Sequence, residues 1–386
     1  MNISYVLMQF PVPSETFAGV DIKALRRAGH VVNVYGMRPS HRMHRKLIEQ
    51  RGLDGLYVEN FSIRSFFQFL GFLFLHPIIS LYLLNRVMRM RSRKHIAKSL
   101  VLYPSAISIF SSIYKDKPDV VHLFWGHYPS MVGTLVKKYM PDTTLTQFLG
   151  AHDLLEAYPL AESLAQSLPV IFTHAESNVS SLQRIGVDNN KIRVVHRGVD
   201  TVARTEDISR IYEGIEKPIL VTASRLINEK GVDNVLGAFK LVSRVYPGAK
   251  LYIAGDGPSR AALESEARKL EIENDVDFLG HIDQRELIKL MKMSHFFVLM
   301  SRYRAERLPN VIKEAMLQGC VVVSTVTDGV TELVKHSDNG FLNFSGTPEE
   351  TANCIFDCIN KALHLFWWVT LYFSVIFAHH RPGKLG

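Results

Sequence analysis

Apolar residues in this chain fall in short bursts, and between the bursts lie amphipathic stretches of helical spacing. Residues 5–10 form one burst, a turn follows at 11–14, residues 17–28 carry helical spacing that stops at Gly29, and 31–35 form the next burst. The same order recurs at 120–125, 129–139 and 144–149, and again at 170–173, 177–185 and 192–195. Short apolar runs bounded by turn residues read as buried strands. Their regular alternation with helices predicts a parallel sheet covered on its faces.

A charged, turn-rich stretch at 197–217 carries no periodic element and is the expected domain junction. The pattern then restarts, with strands predicted at 219–223, 250–254, 276–279 and 296–299 and helices at 231–245, 260–270 and 285–291. The predicted fold class is therefore α/β, with two doubly wound parallel-sheet domains, 1–200 and 201–360, facing one another across a cleft. Such sheets bind ligands outside the carboxyl ends of their strands.

Two stretches stand outside this scheme. Residues 66–84 are apolar apart from Gln68, His76, Pro77 and Ser80, and they run into Arg86, Arg89, Arg91, Arg93, Lys94 and Lys98. At about 19 residues the run is nearly long enough to span a bilayer. A single crossing here would put strands of one sheet on opposite sides of the membrane, so two readings remain: an interfacial or shallowly inserted segment over 66–98, its apolar face in the acyl boundary and its cations on anionic headgroups, or two buried helices broken at Pro77 with a solvated basic face. The second odd stretch is the tail from 361 to 386, apolar over 363–378 apart from His364, Thr370 and Ser374, with Trp367 and Trp368 near its start.

Composition narrows the class. Nearly half the 386 residues are apolar and 21% are charged, which fits packed domains and excludes disorder. Cys320, Cys354 and Cys358 are too few for a disulfide framework or a thiolate zinc cluster, so a reducing compartment is expected. The first ten residues have no basic leader and read as a buried strand, which predicts a cytoplasmic chain. The net charge of +8 suits nucleic acid, anionic lipid or a phosphorylated ligand. The basic residues cluster beside an apolar run without interleaved stacking aromatics, which favours lipid over nucleic acid.

The candidate chemistry lies in two segments. In S-R-Y-R-A-E-R-L-P-N-V-I-K-E-A-M-L-Q-G, residues 301–319, Pro309 suits the first turn of a helix and Gly319 its stop. Glu306 then lies in the loop before that helix and Glu314 within it. The amides of Leu308, Asn310 and Val311 around Pro309 become donors at the positive end of the helix, suited to phosphate. The rise from Pro309 to Glu314 is about 7.5 Å, comparable to the reach from a diphosphate to a ribose. In A-S-R-L-I-N-E-K-G-V, residues 223–232, Arg225 follows a strand and Lys230 precedes a helix. Two fixed cations with helix amides can stabilise a departing diphosphate without a metal, and Asp275 and Asp277 read as a strand entry rather than a magnesium site.

With F-P-V-P-S-E-T-F at 10–17, H-R-G-V-D at 196–200, I-A-G-D-G-P at 253–258 and F-L-G-H-I at 278–282, these segments resemble the retaining glycosyltransferases of family 4. The likeness is strongest to the bacterial members that assemble exopolysaccharide or lipopolysaccharide, and it covers roughly residues 1–345. The resemblance implies the GT-B fold and transfer of a sugar from a nucleoside-diphosphate donor to a lipid-linked or polysaccharide acceptor, with no cofactor and no metal. It also implies that Glu306 contacts the donor sugar, Glu314 the ribose, and Arg225 and Lys230 the diphosphate. Gly255 and Gly257 with His281 and Ile282 would line the base pocket, and Gly19, at the turn after the first strand, would approach phosphate or acceptor. His152, in G-A-H-D-L, resembles the family's N-domain histidine, with His122 and His127 as competitors.

The chain departs from the family pattern at Arg307, Val321 and the tail. A competing reading is a non-catalytic nucleotide-sugar-binding protein of the same fold, impaired by that tail.

Overall fold

The computed structural model describes residues 1–12, 16–196, 198–199, 215–303 and 306–361, and the chain divides into units Met1–Gly198 and Val199–Gly386. The tail from 362 onward, most of the predicted junction and Ser14 of the first motif lie outside the described residues.

The first unit runs β1 (Asn2–Leu7), α1 (Thr16–Arg27), β2 (Val31–Gly36), α2 (His44–Gln50), β3 (Tyr57–Asn60), α3 (Ile63–Leu75), α4 (Pro77–Met88), α5 (Arg93–Asp116) and β4 (Val120–Leu123). It continues with α6 (Ser130–Tyr139), β5 (Thr144–Phe148), α7 (Ala151–Glu156), α8 (Pro159–Ser167), β6 (Ile171–Thr173), α9 (Val179–Arg184) and β7 (Ile192–Val194). Among the described residues these strands form one parallel sheet in the order β3-β2-β1-β4-β5-β6-β7. Tyr35, Phe110, Leu123, Val132 and Leu164 are fully or nearly fully buried between the sheet and its covering helices.

The second unit runs β8 (Ile219–Ala223), α10 (Val232–Val245), β9 (Lys250–Ala254), α11 (Arg260–Lys269), β10 (Val276–Gly280), α12 (Gln284–Met293) and β11 (Phe296–Leu299). It ends with α13 (Asn310–Leu317), β12 (Val321–Thr325), α14 (Val330–Leu333), β13 (Phe341–Asn343) and α15 (Pro348–Lys361). Its parallel sheet has the order β10-β9-β8-β11-β12-β13. In both sheets the chain winds outward from its first strand, then returns to that strand's other side. Adjacent connections diverge at that return, between β1 and β4 and between β8 and β11, and leave room for a ligand at the carboxyl edge.

Three expectations shift. The first apolar run continues to Phe10, but β1 pairs with β2 only from Asn2↔Val31 to Leu7↔Gly36; Met8 and Phe10 are buried in the turn that follows. Apolar periodicity records burial, not strand pairing. Pro309 is the residue before α13 rather than its first helical residue, with ψ at 122°. Gly19 lies inside α1, not at the turn after β1, and a Cβ there would meet Arg51 Cδ at 3.3 Å and Leu53 Cδ1 at 3.5 Å. Its small size lets α1 pack against the chain that follows α2.

The apolar run at 66–84 is a helix pair, α3 and α4, broken at His76 and bent by 106°. Among the described residues α5 alone is by itself long and apolar enough to cross a bilayer, and half of its most apolar stretch is buried in the first unit's core.

Candidate functional site

The loops after β8 and β11 meet at the return point of the second sheet. Gly231 opens α10 with φ at 62°, and a Cβ there would lie 1.9 Å from the Met300 carbonyl oxygen, so only glycine permits this approach. The Arg302 amide donates to the Glu229 carbonyl at 2.7 Å. Its guanidinium donates to both Asp233 carboxylate oxygens at 3.0 and 2.8 Å. The two loops are thereby fixed to each other before any ligand arrives.

On that platform the Lys230 ammonium donates to Glu306 Oε2, and Ser301 Oγ donates to the same oxygen at 3.1 Å. Both members of the ion pair are mostly buried, which strengthens their attraction and holds the carboxylate in one place. Lys230 Nζ also lies 5.8 Å from the Tyr303 ring centroid. Arg225, two residues beyond β8, is exposed and has no side-chain partner among the described residues. A cation held without a counter-charge at a carboxyl edge is suited to an anionic ligand.

Glu314 is buried on α13 and accepts a hydrogen bond from Gln284 Nε2 at 3.1 Å. Burial pushes its carboxyl up to about 7, opposed by the Gln284 hydrogen bond and the neighbouring Lys313 charge. Gln284 is the first residue of α12, which Asp283 caps by accepting from the Glu286 amide at 2.9 Å. Leu308 is buried, and the Asn310 and Val311 amides open α13 as unbonded first-turn donors among the described residues.

Gly255 and Gly257 follow β9. Gly255 has φ at 139°, a Cβ on it would come within 1.8 Å of the Ser224 carbonyl oxygen, and its amide donates to the Gly280 carbonyl at 2.8 Å. A Cβ on Gly257 would lie 2.4 Å from the Leu226 carbonyl oxygen. Both glycines therefore let the loop after β9 pass against the loop after β8. His281 and Ile282 follow β10 at the same edge, His281 exposed and Ile282 packed against buried apolar residues.

In the first unit, His152 is exposed in the first turn of α7, while the next residue, Asp153, is buried. Asp153 accepts from the Gly150 amide at 2.9 Å, the His127 amide at 3.2 Å and His127 Nδ1 at 2.8 Å. The carboxylate can only accept, so Nδ1 carries the proton and Nε2 is left as the acceptor nitrogen of His127. His152 lies beside it, ring centroids 6.3 Å apart. His122 is excluded from this group: it sits within β4, bonds Thr146 Oγ1 at 2.9 Å, and burial lowers its pKa to about 4.

The second unit thus brings Arg225, Lys230, Glu306, Glu314, Pro309 and the two glycines to one sheet edge. Sequence reasoning missed Ser301, Gln284 and Asp153 as partners. Asp153 had a local signal, an acidic residue at the third position of a short helix after glycine; Gln284 had none. Among the described residues no group of three or more His, Cys, Asp or Glu side chains is arranged to hold a metal ion. Asp275 instead takes the Lys250 ammonium at 2.9 Å just before β10.

This fold and edge define a doubly wound α/β protein with Arg225, Lys230 and the opening amides of α13 gathered at the carboxyl ends of its strands. Residues 204–362, within the second unit, match the family model described as "Glycosyl transferases group 1". The chain is 26% identical over 259 residues to an uncharacterized glycosyltransferase of Haemophilus influenzae, covering 65% of this chain and 64% of the relative. It is 26% identical over 193 residues to a human subunit of phosphatidylinositol N-acetylglucosaminyltransferase, covering 50% of this chain and 39% of that one. The chain thus spans less than two thirds of the length of these curated relatives. The solved structure of Anabaena Alr3699/HepE in complex with UDP superposes with a TM-score of 0.70 at 19% identity, over 98% of this chain and 95% of that one, and the same protein is solved with UDP-glucose. The fold is the GT-B fold of glycosyltransferases.

Proposed function

We propose that the protein is a retaining glycosyltransferase of family 4 that moves a sugar from a nucleoside-diphosphate donor to a lipid-linked or polysaccharide acceptor. It works at the cytoplasmic face of an anionic membrane, in exopolysaccharide or lipopolysaccharide assembly. The observation that carries this reading is the meeting of Lys230 and Glu306 at the return point of the second unit's sheet, with Arg225 at the same edge and without a side-chain partner among the described residues. The donor diphosphate would take Arg225, Lys230 and the amides of Asn310 and Val311. Glu306 would face the reacting sugar, and Glu314 would accept from the ribose hydroxyls. The UDP and UDP-glucose complexes of the Anabaena protein support a nucleotide-sugar donor, and the phosphatidylinositol in the human relative's name supports a lipid acceptor.

Positive charge that a metal would supply in other transferases comes here from the two cations and the helix start. The test is incubation of purified protein with radiolabelled UDP-glucose and related donors on bacterial lipid extracts, with and without a chelator. Labelled glycolipid in both conditions is the expected result. Donor binding without turnover would move the assignment to a non-catalytic binding protein, and loss of turnover in chelator would overturn metal independence.

A further inference from the structure

The helix pair α3–α4 in the first unit is apolar on faces that the core does not cover. In α3, Ser65, Phe69 and Phe72 face inward, yet Ile63, Phe67, Leu70 and Phe74 on other faces are just as apolar and are exposed. Helices apolar all round belong in a core or in lipid, and one side of this helix meets no core among the described residues. The exposure is greatest around the bend, where Phe74 is 85% exposed, Leu75 71% and Ile78 77%, with Leu81 following on α4. An apolar patch of this kind marks a contact surface.

Charge identifies what it contacts. Between Glu59 and Asp116 the chain has no acidic residue, whereas the end of α4 and the start of α5 carry Arg86, Arg89, Arg91, Arg93, Lys94 and Lys98. Lys94 is engaged by Glu156 at 3.5 Å and Arg86 reaches Ser163, but Arg89, Arg91, Arg93 and Lys98 are exposed and have no ion-pair partner among the described residues. A protein partner would have to supply both a large apolar face and an acidic rim; an anionic lipid leaflet supplies both at once.

Geometry sets the depth. α3 and α4 hold 13 and 12 residues, each about 20 Å long at 1.5 Å per residue, and the bend of 106° prevents them from forming one straight span. Strand β3 precedes the pair, β4 follows α5, and both belong to one sheet, so a single crossing would divide that sheet between two compartments. We infer that the α3–α4 bend is a monotopic wedge: Phe74, Leu75 and Ile78 enter one leaflet, and the unpaired cations of the α4–α5 junction rest on its anionic headgroups. This deepens the membrane-surface part of the proposed function by naming the inserting element.

The test is flotation of the full chain with vesicles of phosphatidylcholine alone and with about 30% phosphatidylglycerol, read without any donor, so failure of sugar transfer does not enter the result. Phe74→Ser with Leu75→Ser and Ile78→Ser is expected to weaken partitioning to both vesicles on the order of a hundredfold, with the melting temperature nearly unchanged because these side chains are mostly exposed. Replacing Arg89, Arg91, Arg93 and Lys98 by Gln is expected to remove the preference for phosphatidylglycerol while residual binding survives high salt. A fluorophore on Phe74→Cys gives depth, since the native Cys320, Cys354 and Cys358 are buried. It should be quenched more by nitroxides near the headgroup end of the acyl chains than by those at the bilayer centre. Unchanged binding of the serine variant, complete release of the wild type by salt, or strongest quenching at the bilayer centre would each overturn the wedge.

Discussion

Lys230 pairs with Glu306 although 76 residues of chain separate them, because β8 and β11, far apart in sequence, lie side by side in the sheet. The pair fixes a carboxylate beside a cation at the edge where the donor is proposed to bind. Glu306→Gln keeps the shape and removes the charge, so turnover should fall by about a hundredfold or more while donor affinity changes little. Arg225→Ala, which breaks no side-chain hydrogen bond or ion pair among the described residues, should weaken donor binding by about tenfold at an unchanged melting temperature. Calorimetric titration beside initial rates separates the two, and full activity in Glu306→Gln would remove that residue from the site.

Glu314 gives a pH signature. Its folded pKa, about 7, lies above the ordinary carboxylate value, so its contribution to stability is complete below pH 4.5 and is lost as pH rises through 7. The loss amounts to roughly 3 kcal/mol at most. Glu314→Gln should flatten the stability profile across that window and melt higher than the wild type at pH 8. Ribose hydroxyls favour the ionised form, so nucleotide affinity should rise between pH 6 and 8 in the wild type and stay level in Glu314→Gln. Identical profiles in the two proteins would count against this placement of the carboxylate.

The glycines divide by what surrounds them. Gly231→Ala and Gly255→Ala place a Cβ within 2 Å of a carbonyl oxygen at positive φ, and each should cost about 2–4 kcal/mol and reduce donor binding. Gly71, in α3, has nothing within 4 Å of its Cβ direction, so Gly71→Ala should gain about 0.5–1 kcal/mol. Denaturant midpoints decide both signs.

In the first unit, Asp153 and His152 should separate structure from chemistry. Asp153→Ala strips the acceptor from three N–H groups and should cost about 2–4 kcal/mol. His152 is exposed, so His152→Ala should change stability by less than about 0.5 kcal/mol. A fall in turnover of tenfold or more in that variant would mark a role in binding or transfer; an unchanged rate would pass the N-domain role to His127, whose Nδ1 is held by Asp153.

The alternation of strands and helices is legible in the residue pattern, because buried parallel strands must be apolar throughout and their covering helices amphipathic. So are the segments that end at carboxyl edges, since Arg225, Gly255, His281 and Glu306 each follow an apolar burst. Strand β3 escapes that pattern because it is short and mixed in polarity, whereas β12 is an apolar run just after the Gly319 stop and carries the same signal as the other buried strands. Pairings across the chain arise only on folding. Gln284 meets Glu314, and Arg302 meets Asp233, because strand order brings their loops together. The run at 66–84 shows the same division: its apolar character is plain in the residues, but whether its outer side is covered depends on how much of α3 and α4 the remaining core can bury, and that is a property of packing.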